Sequence, residues 1–571
     1  MTRPIIFLTV FTLLCVLPCR GQSAEGTPDD HINLEKITLL SELKSLEDRA
    51  ASLTKPLAKA AATAEIADAA WGLDVELAKA LLREAYELTF PPEGERERLR
   101  NIPAGAIPVP PSADSRLRGE VRKRVLGVAR RDQNFADELM KLGAERLGKY
   151  EEHYGKAVLA DQAIKDGDQE LAGRYILESL AADPSQMTAG QVILDLAARD
   201  RPAADRVILQ YLTQLGGFPL SLENQSALRV YYILSGLVFP DPASDRQRRR
   251  IPPAGPTVIK AYVTFAVESI RQIEEREPGG SQRLRSFLLS MWPLLRQHAP
   301  ELTGEFLSLE RISRGPGQSA SLPETPAREA SQRRREKRIE DALNDGRPDE
   351  YVINSAISKG DFVKARKLLD KLPDGPVKGQ LSEAVNVQEA LSLTAKGDLP
   401  GAGLLAERLT NAASVLRVYP AIIERCVARK DQACAMNLAY QATRQLKKAD
   451  TAPPAPPAGI PASAMADSQE FDPVVMSLGK LAVSVAPMSE TLALEILDET
   501  VGAANRSVVD TAQGRTGFDP GIFRTLAPKN ETRVLQAAND LKDTLRQVTA
   551  LAAIYQWKAE DLMKKASPNS K

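Results

Sequence analysis

An aspartate followed four residues later by an alanine, each time at the head of an apolar helical stretch, constrains this chain more than any other feature. The pattern occurs at Asp74/Ala78, Asp132/Ala136, Asp168/Ala172, Asp200/Ala204, Asp361/Ala365, Asp398/Ala402 and Asp431/Ala435, and Ser489/Ala493 repeats it with another capping residue. An aspartate carboxylate accepts hydrogen bonds from the free N–H groups of a helix's first turn, and its charge suits the positive helix end. One turn further in, alanine lets two helices approach closely. A glycine (Gly167, Gly360, Gly397) or a basic residue (Arg131, Arg199, Lys430) precedes most of these aspartates. Glycine in that place ends the preceding helix in the left-handed conformation. The composite reads as helix, tight turn, aspartate cap, helix: an αα-hairpin.

Spacing separates this pattern from chance. Asp132 to Asp168 is 36 residues, Asp168 to Asp200 is 32, Asp361 to Asp398 is 37, and Asp398 to Asp431 is 33. A period in the mid-thirties is the length of two short helices with two turns. Over 155–215 and 348–448 the chain resembles the tetratricopeptide-like helical repeats. The segment Asp168–Pro184 carries small Ala172, apolar Ile176, small Ser179 and a closing Pro184, in the manner of that repeat's second helix. The Trp, Gly and Tyr positions of its first helix are not recognisable. The resemblance implies an architecture and a protein-binding scaffold; it carries over no ligand-binding residue.

The expected fold is therefore all-α: an αα-hairpin repeat solenoid in two blocks, with Pro-rich linkers and a long C-terminal helix. A length of 571 residues suits such an array better than one compact core. Aromatics at 5% against hydrophobics at 43% fit helices packed through small side chains. The expected organisation is a signal peptide at 1–21, an N-terminal repeat block at 22–313, a linker at 314–329, a second block at 330–448, a Pro/Ala-rich linker at 449–467 and C-terminal helices at 468–571.

Within that frame, 31–55 reads as an amphipathic helix and 57–70 with 74–89 as a hairpin turning at Trp71. The Pro-rich stretch 91–113 disfavours helix, and four to five helices fill 114–215. Longer, less regular helices follow at 218–240 and 257–313. Pro453-Pro454-Ala455-Pro456-Pro457 marks a low-complexity linker, and helices at 470–486 and 489–503 lead to a loop near Gly514 and Gly517. Over 530–566, Val534, Ala538, Leu541, Leu545, Val548, Ala552, Tyr555, Ala559 and Leu562 alternate four and three residues apart, the seam pattern of a coiled coil. Two readings follow: a homodimer through 530–566, or a terminal helix capping an open apolar face. The second is preferred because alanine at three seam positions makes a thin dimer interface.

Arg3, the apolar run Ile5–Leu17 and the small residues before Gln22 have the layout of a cleaved export signal, which places the protein in a periplasmic or extracellular compartment. Pro18 stands where a lipobox has a small residue, which argues against acylation at Cys19. Without Arg3 and Arg20, 73 basic residues face 75 acidic ones, a net of −2. Such balance gives no field for nucleic acid, and no later stretch approaches the length of a stable membrane insertion. Cys426 and Cys434, on either side of Arg429-Lys430-Asp431-Gln432, either form a disulfide or remain two small packing residues.

The chemistry available is narrow. His31, His153 and His298 are far apart, and the chain lacks His-Glu-x-x-His, Cys-x-x-Cys, Gly-x-Ser-x-Gly and the Gly-rich phosphate loop. Ser477-Leu478-Gly479-Lys480 matches the start of a penicillin-binding-type motif without its companions. The acidic stretch Asp341–Glu350 places Leu343 where a calcium loop needs an oxygen ligand. Arg246 with Arg248–Arg250, and Arg333–Arg335 with Lys337 and Arg338, lack interleaved aromatics and read as solvated segments. No catalytic, metal or cofactor residue is expected. The expected function is an exported, non-catalytic scaffold whose concave face binds an unknown protein or peptide partner. An exported hydrolase of glycan or peptide, and an envelope component dimerising through its C-terminal helix, are the alternatives.

Overall fold

The structure, a computed structural model, describes residues 28–100, 113–182, 187–218, 220–222, 226–238, 251–277, 279–284, 287, 292, 295–314, 337, 350–450, 472–507, 509, 511 and 514–566. The expected leader, the Pro-rich segment 451–471, the acidic stretch before Glu350 and most of the basic clusters lie outside these residues.

Every described element is helical. In the first half these are α1 (Pro28–Ala51), α2 (Pro56–Ala70), α3 (Val75–Leu88), α4 (Glu93–Arg100), α5 (Ala113–Ala129), α6 (Gln133–Leu147), α7 (Lys149–Asp166), α8 (Gln169–Ala182), α9 (Met187–Arg199) and α10 (Arg201–Leu215). Then come α11 (Ser226–Val238), α12 (Pro256–Arg276), α13 (Gly280–Arg283) and, after a 3-10 turn at Pro300–Leu302, α14 (Thr303–Arg314). The second half contains α15 (Glu350–Ser358), α16 (Phe362–Asp370), α17 (Pro376–Lys396), α18 (Leu399–Ala406), α19 (Ala412–Ala428), α20 (Gln432–Asp450), α21 (Pro473–Val485), α22 (Glu490–Arg506), α23 (Gly521–Leu526), α24 (Glu531–Asn539) and α25 (Thr544–Ala566).

The helices pack as successive pairs. In the second half, α15 pairs with α16, α17 with α18, α19 with α20, α21 with α22 and α23 with α24. In the first half the pairs are α2 with α3, α5 with α6, α7 with α8, α9 with α10 and α11 with α12. The leading helices also touch in sequence: α15 to α17, α19, α21, α23 and α25 along one half, and α2 to α5, α7, α9 and α11 along the other. This is an all-α repeat solenoid.

Its order in space is not its order in the chain. The last helix, α25, packs on α23 and α24 behind it, but also on α1 and α2 at the other end of the sequence. The α25–α1 pair occupies the place of one more hairpin, assembled from the two termini. One apolar core runs unbroken from Leu39 through this pair to Leu562, while a small separate core (Val352, Ile353, Leu368, Val385) closes the array at α15–α17. The array thus runs from α15 to α25 and onward from α1 to α14.

Three local expectations are corrected. Residues 91–113 hold a helix, α4, between their two proline groups; Arg96 pairs with Glu93 in its first turn and its Nε donates to the Pro91 carbonyl. Six helices, not four to five, occupy 113–215, because Gly148, at φ 93°, splits 133–166 into α6 and α7. The stretch 530–566 is not one helix but two, α24 and α25. The break at Asp540–Asp543 is held open by Asn505 of α22, whose side chain donates to the Asp540 carbonyl (2.9 Å) and accepts from Lys542 N (2.9 Å). The seam survives the break with its residues turned inward: Val534, Leu541, Leu545, Val548, Ala552, Ala559 and Leu562 are buried among the chain's own helices. Their apolar surface packs within the chain, where α25 lies against α23 and α24 on one side and α1 and α2 on the other.

Candidate functional site

The aspartates singled out in the sequence all stand at corners. Each side chain accepts from the amide three residues on: Asp74 from Leu77 (2.9 Å), Asp132 from Phe135 (3.2 Å), Asp168 from Leu171 (3.0 Å), Asp200 from Ala203 (2.9 Å). Asp361 accepts from Lys364 (3.2 Å), Asp398 from Gly401 (3.0 Å) and Asp431 from Cys434 (2.9 Å), while Ser489 accepts from Leu492 (3.3 Å). The alanine four positions after each is fully or almost fully buried. Lys364 beside Asp361, and Lys79 beside Asp132, hold those carboxyls below the usual carboxylate range.

Four corners share a further device. Gly167, Gly360, Gly397 and Lys430 have φ of 85°, 75°, 86° and 58°, and the aspartate that follows donates its N–H to a carbonyl five residues back: Ala163, Ala356, Leu393 and Cys426. This is the Schellman closure, in which a left-handed residue redirects the last amides to free helix carbonyls. Arg131 and Arg199 take no positive φ, so their corners turn by other means. At the Lys430 corner Cys426 and Cys434 are disulfide-bonded with Cα atoms 5.8 Å apart, tying α19 to α20. The caps and the bridge are architecture; they converge on no ligand.

The remaining sequence candidates do not come together either. His31 is exposed on α1, His298 is half-buried and His153 lies in α7. Among the described residues no group of three or more His, Cys, Asp and Glu could hold a metal. The Ser477 hydroxyl donates to the Pro473 carbonyl (2.5 Å) and lies 3.2 Å from that of Ala412, deep in the α19–α21 contact, which gives it a packing role. Lys337 is exposed.

Two features were missed by sequence reasoning. The first is a run of large apolar side chains left in solvent on consecutive trailing helices of the second half: Val363 on α16, Leu404 on α18 and Tyr440 on α20, at 68%, 63% and 53% exposure. Beside them Gln441 donates to Glu407 (2.9 Å) and Gln445 to the Glu407 carbonyl (3.1 Å), fixing α20 against α18. No periodicity marks these residues, since an apolar residue on a helix is counted toward the core until its neighbours are known.

The second is the junction between the chain's ends. Helix α2 (PLAKAAATAEIADAA) is buried on nearly every side, sheathed by α1, α3, α5 and α25. Its first turn is met by the loop before α23: a Cβ on Gly514 would lie 2.7 Å from the Leu57 carbonyl oxygen. Arg546 of α25, itself buried, secures that loop by donating to the carbonyls of Thr516 (2.8 Å), Ala504 and Val509. Inside the junction Glu65 and Asp68 of α2 meet Arg124 of α5, and Arg131 reaches Asp68 (2.7 Å). A second buried pair, Arg122 and Glu151 at 3.0 Å, joins α5 to α7, and burial pushes the Glu151 carboxyl up.

No family model matches the chain, and no curated protein does. Among solved structures it is similar to a circular tandem repeat protein with novel repeat topology and enhanced subunit contact surfaces. That likeness covers 92% of this chain and 100% of the other at 14% identity and a TM-score of 0.14, too low to carry an argument about shape or function.

Proposed function

We propose that this protein is an exported scaffold of tetratricopeptide-like helical pairs that binds a protein or peptide and has no catalysis of its own. The observation that carries the reading is the apolar run Val363, Leu404 and Tyr440 on the trailing helices of three successive pairs. Repeat arrays hold such residues at fixed intervals and present them over an extended face, and exposed apolar groups rimmed by polar ones mark contact surfaces. Glu407 and Arg408 in the turn after α18, and Arg444 and Lys447 on α20, supply exposed polar groups beside it. The Cys426–Cys434 disulfide supports export, because such bonds persist in oxidising compartments.

The test is substitution of Val363, Leu404 and Tyr440 together by aspartate, followed by affinity capture from the native envelope extract. The binding reading expects loss of the wild-type partner with helical circular dichroism unchanged. Recovery of the same partner at the same yield removes it. Export is tested separately by cell fractionation and the mass of the mature N-terminus, expected to begin at Gln22.

A further inference from the structure

Val363, Leu404 and Tyr440 are each followed one turn on, four residues later, by an exposed cation: Lys367, Arg408 and Arg444. The element recurs on α16, α18 and α20, and the αR conformation of Glu407 carries the turn of α18 as far as Arg408. Its second and third copies are stitched together. Glu407, between Leu404 and Arg408, accepts from Gln441, which follows Tyr440, and its carbonyl accepts from Gln445, which follows Arg444. None of the three cationic side chains has a partner among the described residues, whereas their neighbours do: Lys364 meets Asp361, Arg366 meets Glu389 and Lys447 meets Glu499. The row stops at α22, where Asp498 pairs with Arg533 and no large apolar side chain is exposed. A place at a helix end suits Lys367 and Arg408. It does not account for Arg444, within α20, or for the exposed apolar residue one turn before each cation.

We propose, resting on the reading of this face as a binding surface, that the row receives an acidic amphipathic segment of a partner protein. Its apolar side chains cover Val363, Leu404 and Tyr440, and its carboxylates meet Lys367, Arg408 and Arg444. Desolvation decides the class of partner. Anything that covers the three apolar groups also strips water from a cation one turn away from each. An apolar or basic segment leaves those charges covered and uncompensated, which is costly, while an acidic one pairs with them. Of the acids beside the row, Glu407 is engaged by Gln441 and Asp370 is exposed, so the cations are not neutralised from within. The charge pairs also set partner choice and the rate of encounter, since complementary potentials steer association and like charges repel.

Seven residues of helix rise about 10 Å, close to the roughly 8–10 Å between packed helices. The probe is therefore a helical peptide of about twenty residues with leucine at every seventh position, each leucine flanked by glutamates. Its counterpart has lysine for glutamate. Fluorescence anisotropy on the full chain is expected to show the glutamate peptide bound at least about tenfold more tightly than the lysine peptide, with the gap narrowing as salt is added. Lys367→Glu, Arg408→Glu and Arg444→Glu together, all exposed positions, invert that order with helical circular dichroism unchanged. Equal binding of the two peptides overturns the acidic class of partner, yet leaves the apolar face a binding surface. So does capture of the same native partner by the charge-reversed chain when the Val363, Leu404 and Tyr440 aspartate variant loses it. Binding of neither peptide, or an order that survives charge reversal, overturns the proposal. Charge-dependent binding to phosphatidylglycerol vesicles in place of the glutamate peptide overturns it in favour of a membrane surface.

Discussion

The corners at Asp361, Asp398 and Asp431 and the junction around α2 turn the same kind of helix back on itself by opposite means. A corner is closed by residues within about ten positions of one another: a left-handed residue, a carboxylate cap and an alanine one turn in. The junction is closed by groups hundreds of residues apart: α25 packs on α2, and Gly514, in a loop that Arg546 holds, meets α2 near the other end of the chain. Corners are independent, so their contributions add. The junction is one shared contact, so damage to any part of it is felt by the whole.

The largest expected effect is therefore at the junction. Arg546→Ala leaves three carbonyls without their donor inside the core and should cost ~3 kcal/mol or more. In urea denaturation, a loss no larger than that of a single cap would erase the distinction between the two regions. Gly514→Ala comes next, at about 2 kcal/mol or more, because the added methyl meets α2 backbone that cannot swing aside and φ is 84°. Thermal unfolding unchanged by this substitution would mean that the loop does not press on α2.

Smaller effects are expected at the corners. Asp361→Ala should cost ~1 kcal/mol through the lost cap, read by chemical denaturation at neutral pH. Lys364 lowers the Asp361 carboxyl, so the cap's contribution is complete above the ordinary carboxylate value and fades as pH falls below it. The wild type and Asp361→Ala should accordingly converge in acid; a constant difference down to pH 2 would separate the cap from the charge. The smallest effect has the opposite sign. Lys430 holds a positive φ that glycine takes without strain, so Lys430→Gly should raise stability by ~0.5–1 kcal/mol. A loss instead would show that its side chain does more at that corner than occupy a glycine's place.

The same contrast explains what was legible in the residues. Asp168, Asp361, Asp398 and Asp431, with the glycines before three of them, announce their corners because capping and left-handed closure act between neighbours in the chain. The break at 540–543 was invisible because it depends on Asn505, a residue in another helix whose amide satisfies the interrupted backbone. The heptad-like spacing of 530–566 correctly marks an apolar seam but does not say whose helix fills it. Val363, Leu404 and Tyr440 look like core in the sequence and stand in solvent, because exposure is decided by the next helix over.

By itself, then, the order of residues determined that this chain is helical, where most of its hairpins turn and which small side chains nest at each turn, since these depend on contacts one turn apart. Only the tertiary structure decided that the first and last helices meet as one more pair, that the Ala-rich α2 beside them is sheathed on nearly every side, and that its Glu65 is buried. Burying apolar surface rewards any partner of fitting shape, however distant along the chain. No local pattern records which one it will be.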